Sequence, residues 1–298
     1  MTLLLVAWFV VCGACSRAAD PADEAGLPST CKKLVPLHMK LGATKEGDWL
    51  SQHEEPGQTF RQYLRCDPVK PDTRRRVIYV QPLGDFTATE RKIITLTAEY
   101  MQIYFGLPVK TREDLPLKLI PPEARRKHPS WGMDQILSTY VLREVLYPRL
   151  PKDAVAYIAF TASDLWPGEG WTVVFGQASL SARVGVWSIS RNGDLTGGAG
   201  AFRACLLRTI KTATHETGHM FSMKHCIQYQ CNMCGSNHRA ESDSQPLWLC
   251  PHCLAKLCWA TKADPEERFE RLAAFCEKHG LKTEQAFFRK SLATLRAE

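Results

Sequence analysis

The sequence predicts an α/β fold with a mostly parallel β-sheet. Strand-like and helix-like apolar patterns alternate from residue 76 to residue 221, which is typical of helices layered on a sheet. Residues 154–160 (AVAYIAF) form an uninterrupted apolar run, as expected of a strand buried on both faces. A long helical pattern at 202–221 follows the last strand pattern and contains two closely spaced histidines.

Each predicted element depends on its own local pattern. Residues 76–83 (RVIYVQPL) are typical of a strand, and residues 89–105 carry an apolar stripe at helical spacing that ends at Gly106. Residues 171–180 and 184–191 predict two strands joined by a short turn. The other elements are a short strand at 107–110, a helix at 133–147 closed by Pro148, and two amphipathic helices at 265–278 and 283–296 that cap the domain.

The N-terminal quarter of the chain differs in character from the rest. An apolar run (LLLVAWFVV) is followed by small residues, so residues 1–20 are a candidate signal or lipoprotein signal with Cys15 as the candidate lipidated residue. No Lys or Arg precedes the run, which departs from that pattern and leaves two localisations open. The protein is exported or lipid-anchored if residues 1–15 are a signal, and cytoplasmic otherwise. Residues 21–75 are polar and contain prolines, and they predict a loosely structured N-terminal extension.

Composition argues against two classes of protein. The chain has 298 residues, of which 45% are hydrophobic and 23% charged, as in ordinary globular domains. No apolar run reaches the length of about 18 residues that a spanning helix needs, so no integral membrane span is expected. The formal charge is +7. Its basic clusters lack interleaved aromatic residues, so nucleic acid is not an expected partner.

The segment 214–226 (THETGHMFSMKHC) carries the strongest chemical signal. His215 and His219 stand four residues apart, so on a helix they share one face and can both bind one zinc ion. Glu216 is adjacent to the first of these ligands and is suited to activate a zinc-bound water as a general base. His225 follows six residues after the second histidine, and the chain must turn to bring it back as a third ligand. The pattern predicts a catalytic zinc with one open coordination position.

The cysteines predict a second metal site. Six of the twelve crowd into 33 residues with CxxC spacing, which argues for metal rather than for a disulfide framework. Four thiolates in two close pairs form a closed site that contributes to folding rather than to catalysis. Spacing alone favours the set Cys231, Cys234, Cys250 and Cys253. Because Cys226 directly follows His225, it is an alternative ligand that would tie the catalytic loop to the second metal.

The histidine motif and the cysteines that follow it resemble the archaemetzincins, a branch of the metzincin zinc peptidases. The resemblance covers roughly residues 76–260. It implies that residues 76–298 are an archaemetzincin-like domain with a compact metzincin fold, a twisted mixed sheet, an active-site helix and a Met-turn at Met233 beneath the zinc. It also implies that 171–180 includes the edge strand on which an extended peptide pairs. Further segments that carry the resemblance are 164–167, 175–180, 235–238 and 246–251.

The family pattern also bears on the cysteines and on one serine. It assigns the structural zinc to Cys226, Cys231, Cys250 and Cys253, and it leaves Cys234 as an extra cysteine. Ser222 stands where the pattern has glycine, in a turn that usually needs a left-handed backbone. We expect this serine to cost roughly 1–2 kcal/mol of stability without removing a ligand or a base.

The function predicted from these features is that of a zinc metallopeptidase, a hydrolase with two Zn²⁺ ions, one catalytic and one structural. Its expected partners are peptide or protein substrates. The alternative is a catalytically weak or inactive two-zinc binding or scaffold protein, against which the intact Glu216 argues, because a dead site has no need of a base. Substrate preference, endopeptidase or aminopeptidase action, and oligomeric state are left open.

Overall fold

The computed structural model describes residues 23–179 and 182–297. The candidate signal at 1–20, with Cys15, lies outside these residues, as does the last residue of the strand predicted at 171–180. The helices are α1 (Ser29–Leu34), α2 (Trp49–Gln52), α3 (Phe60–Arg65), α4 (Ala88–Phe105), α5 (Ser138–Tyr140, continued by a π-helical segment at Val141–Leu146), α6 (Gly198–Met220), α7 (Arg239–Ser244), α8 (Pro251–Thr261), α9 (Pro265–Lys278) and α10 (Lys282–Arg296). The strands are β1 (Val77–Leu83), β2 (Val109–Thr111), β3 (Arg125–Lys127), β4 (Asp134–Leu137), β5 (Ala154–Thr161), β6 (Asp164–Trp166), β7 (Gly176–Ser179) and β8 (Val184–Ser188).

The described residues divide into two compact units. The first unit contains Pro71–Gln102 and Leu107–Met220, and it includes all the strands named above and the whole of α6. The second unit contains the described residues of Phe9–Lys70 together with Ile103–Gly106 and Phe221–Glu298.

The first unit is built on a five-stranded sheet in the order β2-β1-β5-β8-β7. β1, β2, β5 and β8 are parallel, while β7 pairs antiparallel with β8. Every residue of β5 is buried, as its apolar run predicted, because this central strand is covered on both faces. The prediction of an α/β fold with a mostly parallel sheet is confirmed, and β7 forms one edge of that sheet.

A second, three-stranded sheet corrects one sequence prediction. Residues 134–137 were expected to begin a helix at 133–147, but they form β4, which pairs antiparallel with β3 and parallel with β6. The Gln135 side chain donates hydrogen bonds to Asp164 Oδ2 at 2.7 Å and to Thr172 O at 2.9 Å. Tertiary pairing of this kind outweighs a local helical preference, which amounts to less than about 1 kcal/mol per residue.

The segment 23–70 does not form the loosely structured extension that its composition predicted. It contains α1, α2 and α3, and the side chains of Leu34 and Tyr63 are fully buried. α1 packs against α8 and α10, and α3 packs against α8. α3 begins with a capping box in which Thr59 and Gln62 each accept the other's backbone N–H. The prediction of a loose extension was wrong, because these helices are stabilised by packing against α8 and α10, which lie far along the chain.

The C-terminal helices follow the predicted pattern. α9 has the predicted bounds, and α10 begins at Lys282, one residue before its own predicted start. The Asp264 carboxylate caps α9 by accepting the backbone N–H of Glu267 at 2.9 Å, and α9 packs against α10. Within the part of the chain that the structure describes, no helix is long and apolar enough to cross a bilayer.

Candidate active site and metal centres

The first two histidines of the motif lie in the last two turns of α6, in the first unit. His215 and His219 are one helical turn apart, so their side chains share a face. Their Nε2 atoms are 3.0 Å apart, and their ring centroids are separated by 4.6 Å at an interplanar angle of 86°. Two nitrogens bound to one tetrahedral zinc, at about 2.0–2.1 Å each, would be about 3.4 Å apart. The pair is therefore close to the arrangement that one zinc ion requires.

α6 is held closely against the sheet of the first unit. A Cβ atom on Gly185 of β8 would lie 2.4 Å from the Trp187 ring and 2.8 Å from Met220 Cε, so glycine permits this close approach at the end of the helix. Nearer the start of the helix, Asn192 Nδ2 donates to Thr209 Oγ1 at 3.0 Å. These contacts determine where the histidine-bearing turns of α6 lie on the sheet.

Glu216 follows the first histidine on α6 and is almost completely buried. Burial raises the pKa of its carboxyl group to about 8, because the charged form loses its hydration. A carboxylate with a raised pKa is a stronger proton acceptor than one in water. α6 thus carries an acid–base group at the position directly after the first of its two histidines.

The chain turns immediately after α6, at Ser222. Its φ of 64° lies in the left-handed region, as expected for a position where glycine is usual. The Ser222 hydroxyl oxygen accepts the backbone N–H of Val69 at 3.0 Å, and its carbonyl accepts Nε2 of Gln58 at 3.3 Å. Tyr63 donates from its hydroxyl to Phe221 O at 2.8 Å. The N-terminal segment of the second unit therefore holds this turn in place.

His225, also in the second unit, is buried beside a carboxylate. Its Nδ1 lies 2.7 Å from Glu55 Oε1, and Trp49 Nε1 donates to the same oxygen at 2.6 Å. Burial raises the pKa of Glu55, but the hydrogen bonds from His225 and Trp49 outweigh this effect and hold that pKa below its usual value. Sequence reasoning missed Glu55 and Trp49, because both lie about 170 positions before His225 and belong to no recognisable pattern.

Four cysteine sulfurs form a buried cluster in the second unit. The Sγ atoms of Cys226, Cys231, Cys250 and Cys253 lie within 4.8 Å of one another, and those of Cys226 and Cys250 are 3.6 Å apart. Sulfurs at about 2.3 Å from a tetrahedral zinc would be about 3.8 Å apart. Cys231 Sγ accepts the backbone N–H groups of Met233 and Cys250 at 3.4 and 3.2 Å, contacts of the kind that support a metal-bound sulfur. Hydrogen bonds from neighbouring thiols, Cys231 first, hold the pKa of Cys226 well below its usual value.

Cys234 and Met233 lie next to this cluster. Cys234 Sγ lies 3.2 Å from Tyr229 O, and its sulfur is not part of the four-sulfur group. Met233 is fully buried, and its carbonyl accepts the backbone N–H of Cys226 at 2.8 Å. This hydrogen bond ties the predicted Met-turn residue to the residue that directly follows His225.

A third group of polar side chains is explained by hydrogen bonds within the fold. Ligand-type atoms of Asp48, His238 and Glu241 lie within 4.8 Å of one another. His238 caps α7 by accepting the N–H of Glu241 on Nδ1, and its Nε2 is 3.2 Å from Asp48 Oδ1. The Glu241 carboxylate accepts the backbone N–H groups of Trp49 at 3.0 Å and Asn237 at 2.6 Å. The group therefore anchors α2 and the start of α7.

Comparison with known proteins identifies the class to which this fold and these sites belong. Residues 141–258 match the family model of peptidase family M54. Archaemetzincin-2 of Homo sapiens is 33% identical over 262 residues, which cover 77% of this chain and 72% of the human protein. The archaemetzincin of Pyrococcus furiosus is 28% identical over 184 residues, covering 61% of this chain and 93% of that protein. A solved archaemetzincin from Methanopyrus kandleri shares the fold, with a TM-score of 0.50 and 23% identity over 65% of this chain and 99% of its own.

These similarities show that the protein is a zinc metallopeptidase. The chain belongs to the archaemetzincin family. Zinc is the metal expected for this family, and the donor atoms fit it, since imidazole nitrogens and thiolates are the ligands that zinc prefers in proteins. The spacings within the histidine pair and within the cysteine cluster are consistent with that choice.

Proposed function

We propose that the chain hydrolyses peptide bonds at a catalytic zinc ion bound by His215, His219 and His225. The observation that carries this proposal is the pair of imidazole nitrogens 3.0 Å apart on α6, in a chain of the archaemetzincin family. His225 is assigned from its spacing in the motif, six residues after His219. Three imidazole ligands leave one coordination position open, as catalytic zinc sites require.

Glu216 is the general base in this proposal. When bound, zinc lowers the pKa of a coordinated water and polarises the scissile carbonyl group. The Glu216 carboxylate accepts the proton of the attacking water and passes it to the nitrogen of the departing amine. Its position next to His215 and its burial keep it beside the reacting groups and away from bulk solvent.

β7 is the proposed docking strand for an extended peptide. It lies at an edge of the five-stranded sheet, where a substrate can add as a further strand through backbone hydrogen bonds. The strand is steadied from within, because the Ser138 hydroxyl donates to Gln177 Oε1 at 2.6 Å. Pairing through the backbone would orient the scissile bond while leaving side-chain preference to neighbouring residues.

We assign the second, structural zinc to Cys226, Cys231, Cys250 and Cys253. Four thiolates close the coordination sphere, so this ion supports folding and leaves no position for substrate. The assignment is supported by the sulfur spacings and by the N–H groups directed at Cys231. Met233 is proposed as the Met-turn residue of the family pattern.

Cleavage of a peptide library by the wild-type protein and by Glu216→Gln, with zinc measured in both, tests the proposal. We expect the wild type to cleave and the variant to lose activity by about 100-fold or more with unchanged zinc content. Glutamine has the size of glutamate, so packing is preserved. A wild-type protein that holds its zinc but cleaves no peptide would favour the alternative, a two-zinc scaffold.

A further inference from the structure

We propose that Glu55 is a positioning residue for His225. It lies outside the histidine motif, in the N-terminal segment of the second unit, and it orients the imidazole so that Nε2 is left to bind zinc. The inference rests on the proposed function in one respect, namely that His225 is a zinc ligand. It adds Glu55, from the segment 23–70, as a hydrogen-bond partner of His225.

The contact between the two residues has the geometry of a charge-assisted hydrogen bond. Glu55 Oε1 and His225 Nδ1 are 2.7 Å apart, and the side chains are only 13% and 5% exposed, respectively. Glu55 accepts the Nδ1 proton, and this fixes the tautomer in which the lone pair is on Nε2. A zinc-binding histidine commonly donates its second ring N–H to a carboxylate in this way, which also makes the ring a stronger ligand.

Trp49 holds the carboxylate and the imidazole in this arrangement. Its indole N–H donates to the same Oε1 at 2.6 Å, and its ring meets the His225 ring edge-on at a centroid distance of 5.2 Å. The indole is held closely, because a Cβ atom on Gly235 would come within 2.4 Å of it. Its backbone N–H is bound by the Glu241 carboxylate. The contacts of Trp49 thus hold the Glu55 carboxylate in place against His225.

The test compares Glu55→Ala and Glu55→Gln with Glu54→Gln, a neighbouring exposed carboxylate, and with His225→Ala. Zinc affinity is measured by chelator competition, and the cysteine-bound zinc is quantified separately. Loss of a partner of this kind lowers metal affinity by about 10- to 100-fold. We expect that loss in Glu55→Ala, a smaller loss in Glu55→Gln because the amide oxygen still accepts the proton, and no change in Glu54→Gln.

A spectroscopic readout separates positioning from general stability. With Co²⁺ in place of zinc, the d–d bands of the histidine site should shift in Glu55→Gln, while the thiolate charge-transfer bands of the cysteine site stay constant. If Glu55→Ala lowers the melting temperature, the spectrum and affinity of Glu55→Gln decide. Wild-type affinity and spectrum in Glu55→Gln, or wild-type affinity in Glu55→Ala, would overturn the inference. If His225→Ala also keeps the metal, the assignment of His225 as a ligand fails instead.

Discussion

The hydroxyl oxygen of Ser222 accepts a hydrogen bond from the backbone N–H of Val69, 3.0 Å away. Ser222 has a φ of 64°, a conformation that strains a non-glycine residue by about 1–2 kcal/mol. The hydrogen bond returns about 0.5–1.5 kcal/mol, which no glycine at this position could supply. This contact explains how the chain accommodates serine where the family pattern has glycine.

Ser222→Gly should therefore change the free energy of unfolding by less than about 1 kcal/mol, because relief of strain and loss of the hydrogen bond offset each other. Ser222→Ala keeps the strain and loses the hydrogen bond, so it should destabilise by about 1 kcal/mol. Urea unfolding of both variants at fixed zinc measures the difference. Wild-type stability in Ser222→Ala would show that the contact with Val69 contributes nothing.

Cys226→Ser should remove one zinc ion per chain and markedly lower the melting temperature, because a structural zinc contributes directly to folding. Cys234→Ser should keep both proposed ions, since its sulfur lies outside the group formed by the other four sulfurs. Zinc content by mass spectrometry and thermal unfolding of the two variants provide the comparison. Loss of the structural ion in Cys234→Ser alone would reverse the assignment.

The fully buried carboxylate of Asp164 forms a bidentate ion pair with the partly buried guanidinium of Arg191 in the first unit, with distances of 2.6 and 2.7 Å. Asp164→Ala removes a buried carboxylate that accepts hydrogen bonds from Arg191 and Gln135, and it should destabilise by about 3 kcal/mol in denaturant unfolding. The matched control is Asp134→Ala, whose pair with Lys127 is largely exposed and should contribute less than about 1 kcal/mol. Equal effects of the two substitutions would contradict the structural role of Asp164.

His38 packs against Phe287 at a ring-centroid distance of 5.2 Å, and burial lowers its pKa to about 4. The unfolded chain binds the proton at about pH 6.5, so the folded state loses stability as pH falls from about 6.5 towards 4. Between pH 7 and pH 5 the free energy of unfolding should fall by about 2 kcal/mol because of His38.

His38→Phe removes the titrating group and keeps an aromatic ring. Its free energy of unfolding, measured by urea titration, should therefore fall by about 2 kcal/mol less than that of the wild type between pH 7 and pH 5. Parallel losses of stability in the two proteins would assign the acid sensitivity to other groups.

Local patterns were sufficient where neighbouring residues in the sequence determine the structure. Three features depend only on residues close together in the chain: the apolar run of β5, the spacing of His215 and His219, and the amphipathic pattern of α9. Residues 134–137 show the limit of such patterns, because pairing with β3 and β6 decided that they form a strand.

The sequence by itself determined the class of fold, the presence of the histidine and cysteine metal-binding patterns, and the left-handed corner at Ser222. Only the tertiary structure decided what holds these features in place. Glu55 reaches His225 across 170 positions, and Val69 reaches Ser222 across 153. Such contacts form when distant segments pack together, and neither partner carries a local pattern that indicates the other.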